Sequence, residues 1–85
     1  MELPDKTLVT HSHLMGDGDE KTVKVHFERP VDYGFDSVTY MLPYYTQIEK
    51  IGNYTDEEIT KLERFTVRNA HLFYQYAEEG GHGIA

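Results

Sequence analysis

A long amphipathic segment near the C-terminus constrains the fold of this chain more than any other feature. It opens with a capping box, in which the Thr55 hydroxyl accepts from the Glu58 amide and the Glu58 carboxylate accepts from the Thr55 amide. Gly80 and Gly81 follow it, and glycine commonly ends a helix. Its apolar positions cover an arc of about 160° at helical spacing. We therefore predict a helix over 55–79, and an arc this wide requires a sheet to pack on.

One polar residue interrupts the apolar arc of this helix. Asn69 lies among the positions that should face the sheet. A buried side-chain amide is costly unless it is hydrogen-bonded. We expect Asn69 to be a buried polar residue that bonds a strand or loop backbone, and the alternative is a polar contact in a pocket or dimer seam.

The N-terminal half alternates in the manner of β-strands. Residues 21–28 place Val23, Val25 and Phe27 on one face and polar side chains on the other. Residues 7–14 are rich in β-branched side chains, and the glycines and aspartates of 15–20 predict a turn that joins the two segments as a hairpin.

The middle of the chain predicts further strands. Arg29 and Pro30 should end the second strand because proline cannot donate to a ladder, with a connection over 32–36. Residues 37–42 predict a third strand, which stops at Pro43. Residues 44–51 fit a fourth strand or a short helix, and their aromatic and β-branched content favours the strand.

These elements predict an α+β fold in which an antiparallel sheet of three to four strands, the N-terminal hairpin first, is packed by one long C-terminal helix. The chain has 85 residues, which fits one domain over 1–85. Residues 1–6 are expected to be a flexible lead-in, 7–51 mainly β, and 80–85 a tail.

Net charge and composition indicate which classes of binding partner are favoured. Eight Lys and Arg stand against fifteen Asp and Glu, for a net charge of −7. This disfavours nucleic acid, whose binding depends on neutralising phosphates, and fits a protein partner with a basic surface. The absence of cysteine, of a signal-like start and of any long apolar run predicts a cytoplasmic protein with no membrane contact. No motif indicates a cofactor.

Aromatic content predicts a contact surface. Seven Tyr and four Phe in 85 residues are more than a small core should bury with every hydroxyl satisfied. Tyrosine is enriched at protein interfaces. The glutamates at the end of the helix, where the dipole disfavours anions, extend the expectation to a basic partner. The partner-binding residues predicted in this way are Tyr40, Tyr44, Tyr45, Tyr54, Glu78 and Glu79.

The histidines form a second candidate site. His11 and His13 are two apart on one strand, and His26 lies on the strand that should pair with it. If odd positions pair with even ones, Leu8 and Leu14 lie in the core and the three imidazoles share the outer face with Lys24. Such a cluster resembles a metal site or an acid–base pair, although the lysine would repel a cation.

The leading hypothesis is a small acidic, non-enzymatic protein-interaction module. It extends to an inhibitor or regulator of the antitoxin or phage anti-defence type, including a mimic of a nucleic acid backbone. The alternatives are a metal- or ligand-binding or hydrolytic domain that uses His11, His13 and His26, and a structural homodimer paired through a sheet edge or the helix. Nucleophilic catalysis is not favoured, since the chain lacks cysteine and no serine has a nucleophile-elbow setting.

Overall fold

The computed structural model describes residues 2–16, 21–32 and 34–79. Within them the chain forms four strands and one helix: β1 (Leu8–His11), β2 (Val23–Val31), β3 (Gly34–Leu42), β4 (Thr46–Ile51) and α1 (Asp56–Glu78). The strands form one antiparallel sheet in the order β1-β2-β3-β4. The predicted α+β fold with one long C-terminal helix is confirmed.

The start of α1 follows the predicted cap. The Glu58 amide donates to Thr55 Oγ1 at 3.2 Å, and the Thr55 amide donates to Glu58 Oε1 at 2.9 Å. Leu62, Thr66 and Phe73 of α1 are buried against the sheet. The predicted stop at residues 80 and 81 and the predicted tail lie outside the described residues.

The core lies between α1 and one face of the sheet. The Phe27 ring meets the Tyr40 ring at 6.0 Å and the Phe65 ring at 5.9 Å, both edge-on. Phe65 also meets Phe73 at 6.3 Å. Burying a side chain of this size stabilises the fold by about 1.5–3 kcal/mol, so this aromatic cluster is a main source of the domain's stability.

The strand boundaries differ from the prediction around Pro30. β2 continues through Arg29 and Pro30 to Val31, and β3 begins at Gly34, so only two residues separate the strands. Pro30 lies beyond the end of β1, and proline is tolerated where a strand has lost a neighbour. Residues 46–51 form the strand that the sequence favoured.

The register of the first hairpin corrects the expected pairing. Val9 pairs with Phe27 and His11 with Val25, so odd positions pair with odd ones. Val9 and His11 therefore face the core, and Leu8 faces outward. A shift of one residue reverses every side chain of a strand. The long connection between β1 and β2 left this shift unspecified in the sequence, and part of its predicted turn, 17–20, lies outside the described residues.

The segment before β1 is tied to the domain. The Lys6 amide donates to the Leu3 carbonyl at 2.9 Å, the Leu3 amide donates to the Thr7 carbonyl at 2.8 Å, and Leu3 packs against the core. Residues 2–6 are thus hydrogen-bonded to one another and to Thr7, and the flexibility expected of this lead-in stays a prediction. Across the three described ranges, no helix combines the length and apolar character that crossing a membrane requires.

An ion-pair network joins β2, β3 and α1 at one end of the sheet. Arg29 Nε donates to Asp36 Oδ2 at 2.9 Å, and the Arg29 guanidinium also pairs with Glu58 and lies 4.1 Å from the centre of the Tyr54 ring. Asp36 Oδ1 accepts from the Asn53 amide at 3.0 Å. These contacts fix the β2–β3 hairpin to the start of the helix.

Candidate functional site on the open face of the sheet

One face of the sheet carries no covering element among the described residues. α1 packs on the face that bears Val25, Phe27 and Tyr40. The side chains that alternate with these point the other way, to what we call the open face. Ser37 and Thr39 are buried there because taller neighbours on β2 and β4 flank them.

A continuous row of apolar side chains crosses one end of the open face. Leu8 lies opposite Glu28, and Pro30 is the next outward residue of β2. Pro30 pairs directly with Phe35, and Ile51 pairs with Ser37, two residues along from Phe35. Direct and diagonal cross-strand neighbours lie close enough for side chains to touch. With Ile48 further along β4, we call this row the apolar band: Leu8, Pro30, Phe35, Ile48 and Ile51.

The apolar band is exposed. Seven large apolar side chains are exposed among the described residues, and Leu8, Phe35, Ile48 and Ile51 are four of them. Phe35 retains 57% of its surface and Ile51 54%. Single exposed apolar residues are ordinary, but a contiguous group on one face marks an interaction site.

The rest of the open face is polar except for Met41 near its far end, and it encloses a shallow hollow of about 340 Å³. His26 Nδ1 lies 2.7 Å from Thr39 Oγ1, and His26 Nε2 lies 3.3 Å from Glu28 Oε2. A carboxylate only accepts, so Nε2 carries the proton in the neutral ring and Nδ1 accepts from the Thr39 hydroxyl. The hollow is lined by Thr10, His11, Ser12, Lys24, His26, Thr39, Ile48 and Glu49.

The open face holds little of the chain's net charge. Its charged side chains in the strands are Lys24, Glu28 and Glu49, which sum to −1. The whole chain carries −7. The acidity therefore lies elsewhere on the molecule, including the first turn of α1 and its C-terminal end.

The structure divides the predicted tyrosine surface. Tyr40 is fully buried on the core face of β3, and Tyr54 is buried beneath Arg29. The expectation that these two rings are exposed is wrong, because Tyr40 alternates in phase with Val38 and Leu42. Burial, with a smaller effect from nearby Glu63, raises the pKa of Tyr40 to about 12.

The other predicted contact residues remain accessible. Tyr44 keeps 74% of its surface in the turn before β4, and Tyr45 is half-buried against the core. Glu78 and Glu79 are exposed at the end of α1. A role for these residues in binding a basic partner stays a prediction.

The three histidines do not share a face. His11 is buried between sheet and helix, with its ring 6.3 Å from Phe73 and 6.2 Å from Tyr76. His26 lies on the open face, and His13 is exposed beyond the end of β1. The described residues contain no group of three or more His, Cys, Asp or Glu placed to hold a metal ion. The common imidazole face expected from the sequence is therefore wrong.

Asn69 is half-buried rather than buried. Its side-chain amide donates to the Phe65 carbonyl, one helical turn earlier, at 2.9 Å. This bond satisfies a donor within α1 itself. The predicted bond to a strand or loop backbone is not the one that the structure shows.

The sequence does not predict the apolar band. The expected register puts Leu8 in the core, and the expected connection over 32–36 contains Phe35. The signal that could have revealed the band is the short spacing between Pro30 and Phe35: if the second strand continues through Pro30, a tight hairpin places Phe35 opposite it.

Comparisons with family models, with curated proteins and with solved structures found no match to this chain.

Proposed function

We propose that this chain is a non-enzymatic protein-interaction module that binds another polypeptide chain through the apolar band. The single observation that carries the proposal is the grouping of four of the seven exposed large apolar side chains on one sheet face. Removing apolar surface from water yields about 25 cal/mol per Å², so this face gains most by being covered.

The face is better suited to binding than the edge of the sheet. β4 is an edge strand whose six residues are all exposed. A bulge between Thr39 and Tyr40 interrupts its ladder, and it carries the charges of Glu49 and Lys50. Bulges and charges are the features by which edge strands avoid pairing with other chains. This arrangement disfavours association through the β4 edge and favours the open face.

Site-specific photo-cross-linking in the cells that make the protein tests the proposal. A benzoylphenylalanine residue replaces Phe35 in one variant and Val67 in a matched control. Val67 is 53% exposed, close to Phe35, but lies on α1. The proposal predicts a discrete protein adduct from position 35 and markedly less from position 67.

Two results would contradict the proposal. Equal labelling at both positions would mean that the apolar band is ordinary surface, and no adduct at position 35 would mean that nothing covers it. Both variants should unfold at the same urea concentration as the wild type, since neither side chain belongs to the buried core.

The expected basic partner makes a separate prediction. Contacts through Glu78 and Glu79 would weaken as salt is added, because exposed charges are screened beyond about 8 Å at physiological ionic strength. Contacts through the apolar band would not weaken. If this chain is an inhibitor or regulator, it acts by covering a contact surface of its target. The salt dependence of binding then shows whether this chain uses Glu78 and Glu79 or the apolar band.

A second candidate function rests on the chain of contacts from Glu28 through His26 to Thr39 at the hollow. An imidazole held between a carboxylate and a hydroxyl is the arrangement by which a base activates an oxygen nucleophile. Hydrolysis of a simple nitrophenyl ester tests it, with His26→Gln and Thr39→Val as variants. Wild-type hydrolysis no faster than that of either variant removes this candidate.

A further inference from the structure

We infer that the occupant of the open face is a second copy of this chain, packed sheet against sheet about a two-fold axis parallel to the strands. This inference rests on the proposed function and names its partner. Its basis is that the apolar band lies at one end of the open face. The band of one copy meets the band of the other only if the two-fold rotation places the same ends of the two faces together.

An axis parallel to the strands satisfies that condition. It exchanges β1 with the partner's β4 and β2 with the partner's β3, and it leaves each cross-strand row facing itself. Leu8 then lies over Ile51 of the second copy, and Pro30 lies over its Phe35. Stacked sheets pack about 10 Å apart with their strands within about 30°, so these side chains can interdigitate.

An axis across the strands does not satisfy it. That operation reverses the rows, so that Leu8 would lie over Ser12 of the second copy and Ile51 would lie over its Thr46. Apolar side chains would then be covered by the rim of the hollow and by Lys24. The band would then lose the gain in free energy that contact with another apolar surface provides.

Charge permits self-association despite the acidity of the chain. Each open face carries a net charge of −1, whereas each copy of the chain carries −7 in total. The acidic helices lie on the outer sides of the dimer. The distance between them is greater than the spacing of about 10 Å between the packed sheets, which already exceeds the screening length of about 8 Å. Added salt should therefore leave the dimer intact or strengthen it.

The area of the face predicts a small interface between the two copies. The strands contain 4, 9, 9 and 6 residues. At about 3.3 Å per residue and 4.8 Å between strands, they present about 450 Å² per copy. Two copies would bury about 900 Å², below the roughly 1,200 Å² of standard stable interfaces, so we expect a reversible dimer of micromolar affinity.

Cysteine cross-linking of the purified full-length chain tests the geometry, because the chain has no cysteine of its own. Leu8→Cys and Ile51→Cys variants are mixed and treated with a bis-maleimide that spans about 10 Å, the distance between packed sheets. The mixture should yield a covalent dimer. Leu8→Cys alone should not, since its two cysteines would also be offset by about 14 Å across the sheet.

The controls separate the two axes and the two proposals. A mixture of Leu8→Cys and Ser12→Cys that links better than the 8–51 mixture would overturn the axis. Failure of every mixture at about 100 µM, well above a micromolar dissociation constant, would overturn the self-association. In that case an adduct at position 35 with the mass of a different protein would leave the proposed function standing, whereas the absence of any adduct would remove both.

Discussion

The two faces of the sheet carry apolar side chains in different settings. The covered face places Phe27, Tyr40 and Val25 beneath α1, where all three are fully buried. The open face places Phe35 and Ile51 in solvent, each more than half exposed. The first group stabilises the chain by itself, and the second can do so only when another molecule covers it. Apolar content therefore indicates stability or association according to what the fold packs against it.

The two histidines on neighbouring strands show the same contrast. His11 faces α1, where its Nδ1–H donates to the Ser12 carbonyl at 3.1 Å and its ring packs on two aromatic rings. His26 faces outward and contacts Glu28 and Thr39 through both nitrogens. One imidazole is a core side chain and the other is a surface group.

The largest effect should come from shortening an aromatic side chain on the covered face. Phe27→Ala removes the ring that meets both Tyr40 and Phe65 and should lower the free energy of unfolding by about 3–5 kcal/mol. Phe35→Ala on the open face should change it by less than about 0.5 kcal/mol at concentrations where the chain is monomeric. Urea unfolding measures both, and similar losses would contradict the distinction between the faces.

The next effect concerns the backbone at the end of β4. Gly52 has φ +95°, and a Cβ atom there would lie 2.0 Å from Asp36 Oδ1. Gly52→Ala should cost about 2 kcal/mol or more, because it adds backbone strain and displaces the partner of Arg29. Gly34→Ala is the control, since Gly34 also has a positive φ but no atom near its Cβ position. Thermal unfolding should show the larger loss for Gly52→Ala, and equal losses would mean that the Asp36 contact is unimportant.

A smaller effect, of opposite sign, concerns the Tyr40 hydroxyl. This oxygen is buried without a hydrogen-bond partner among the described residues. Tyr40→Phe should therefore raise the free energy of unfolding by about 1 kcal/mol. Tyr74→Phe should lower it by a similar amount, because the Tyr74 hydroxyl donates to the Lys21 carbonyl at 3.0 Å. A destabilised Tyr40→Phe variant would show that the hydroxyl is satisfied.

The smallest effect is a pH dependence at the start of α1. The Arg29 guanidinium, followed by the Thr55 amide, lowers the pKa of Glu58 from 4.5 to about 2. Because the folded pKa is depressed, this stabilisation is present above pH 4.5 and is lost as the pH falls toward 2. The Glu58 side chain is 37% exposed, so solvent screening keeps the effect modest. Unfolding curves at about pH 6 and about pH 3 should differ less for Glu58→Gln than for the wild type.

Local signals in the sequence predicted the architecture but not the site. The capping box at Thr55 and the alternation around Val25 depend on residues close in the chain, and both are confirmed. The apolar band depends on the register between distant strands. Arg29 and Glu58, 29 residues apart, pair only once the sheet and helix are assembled. Neither arrangement leaves a periodic pattern in the sequence.

Sedimentation equilibrium of the purified chain tests the central claim most directly. From about 1 to about 300 µM, the average mass of the wild type should rise from one chain toward two, as expected for a micromolar dimer. A Phe35→Ser/Ile51→Ser double variant should remain at the mass of one chain throughout, and at about 1 µM or below, where dimer is scarce, its unfolding midpoint should be close to that of the wild type. A wild type that stays monomeric throughout, or a double variant that dimerises equally well, would contradict the account.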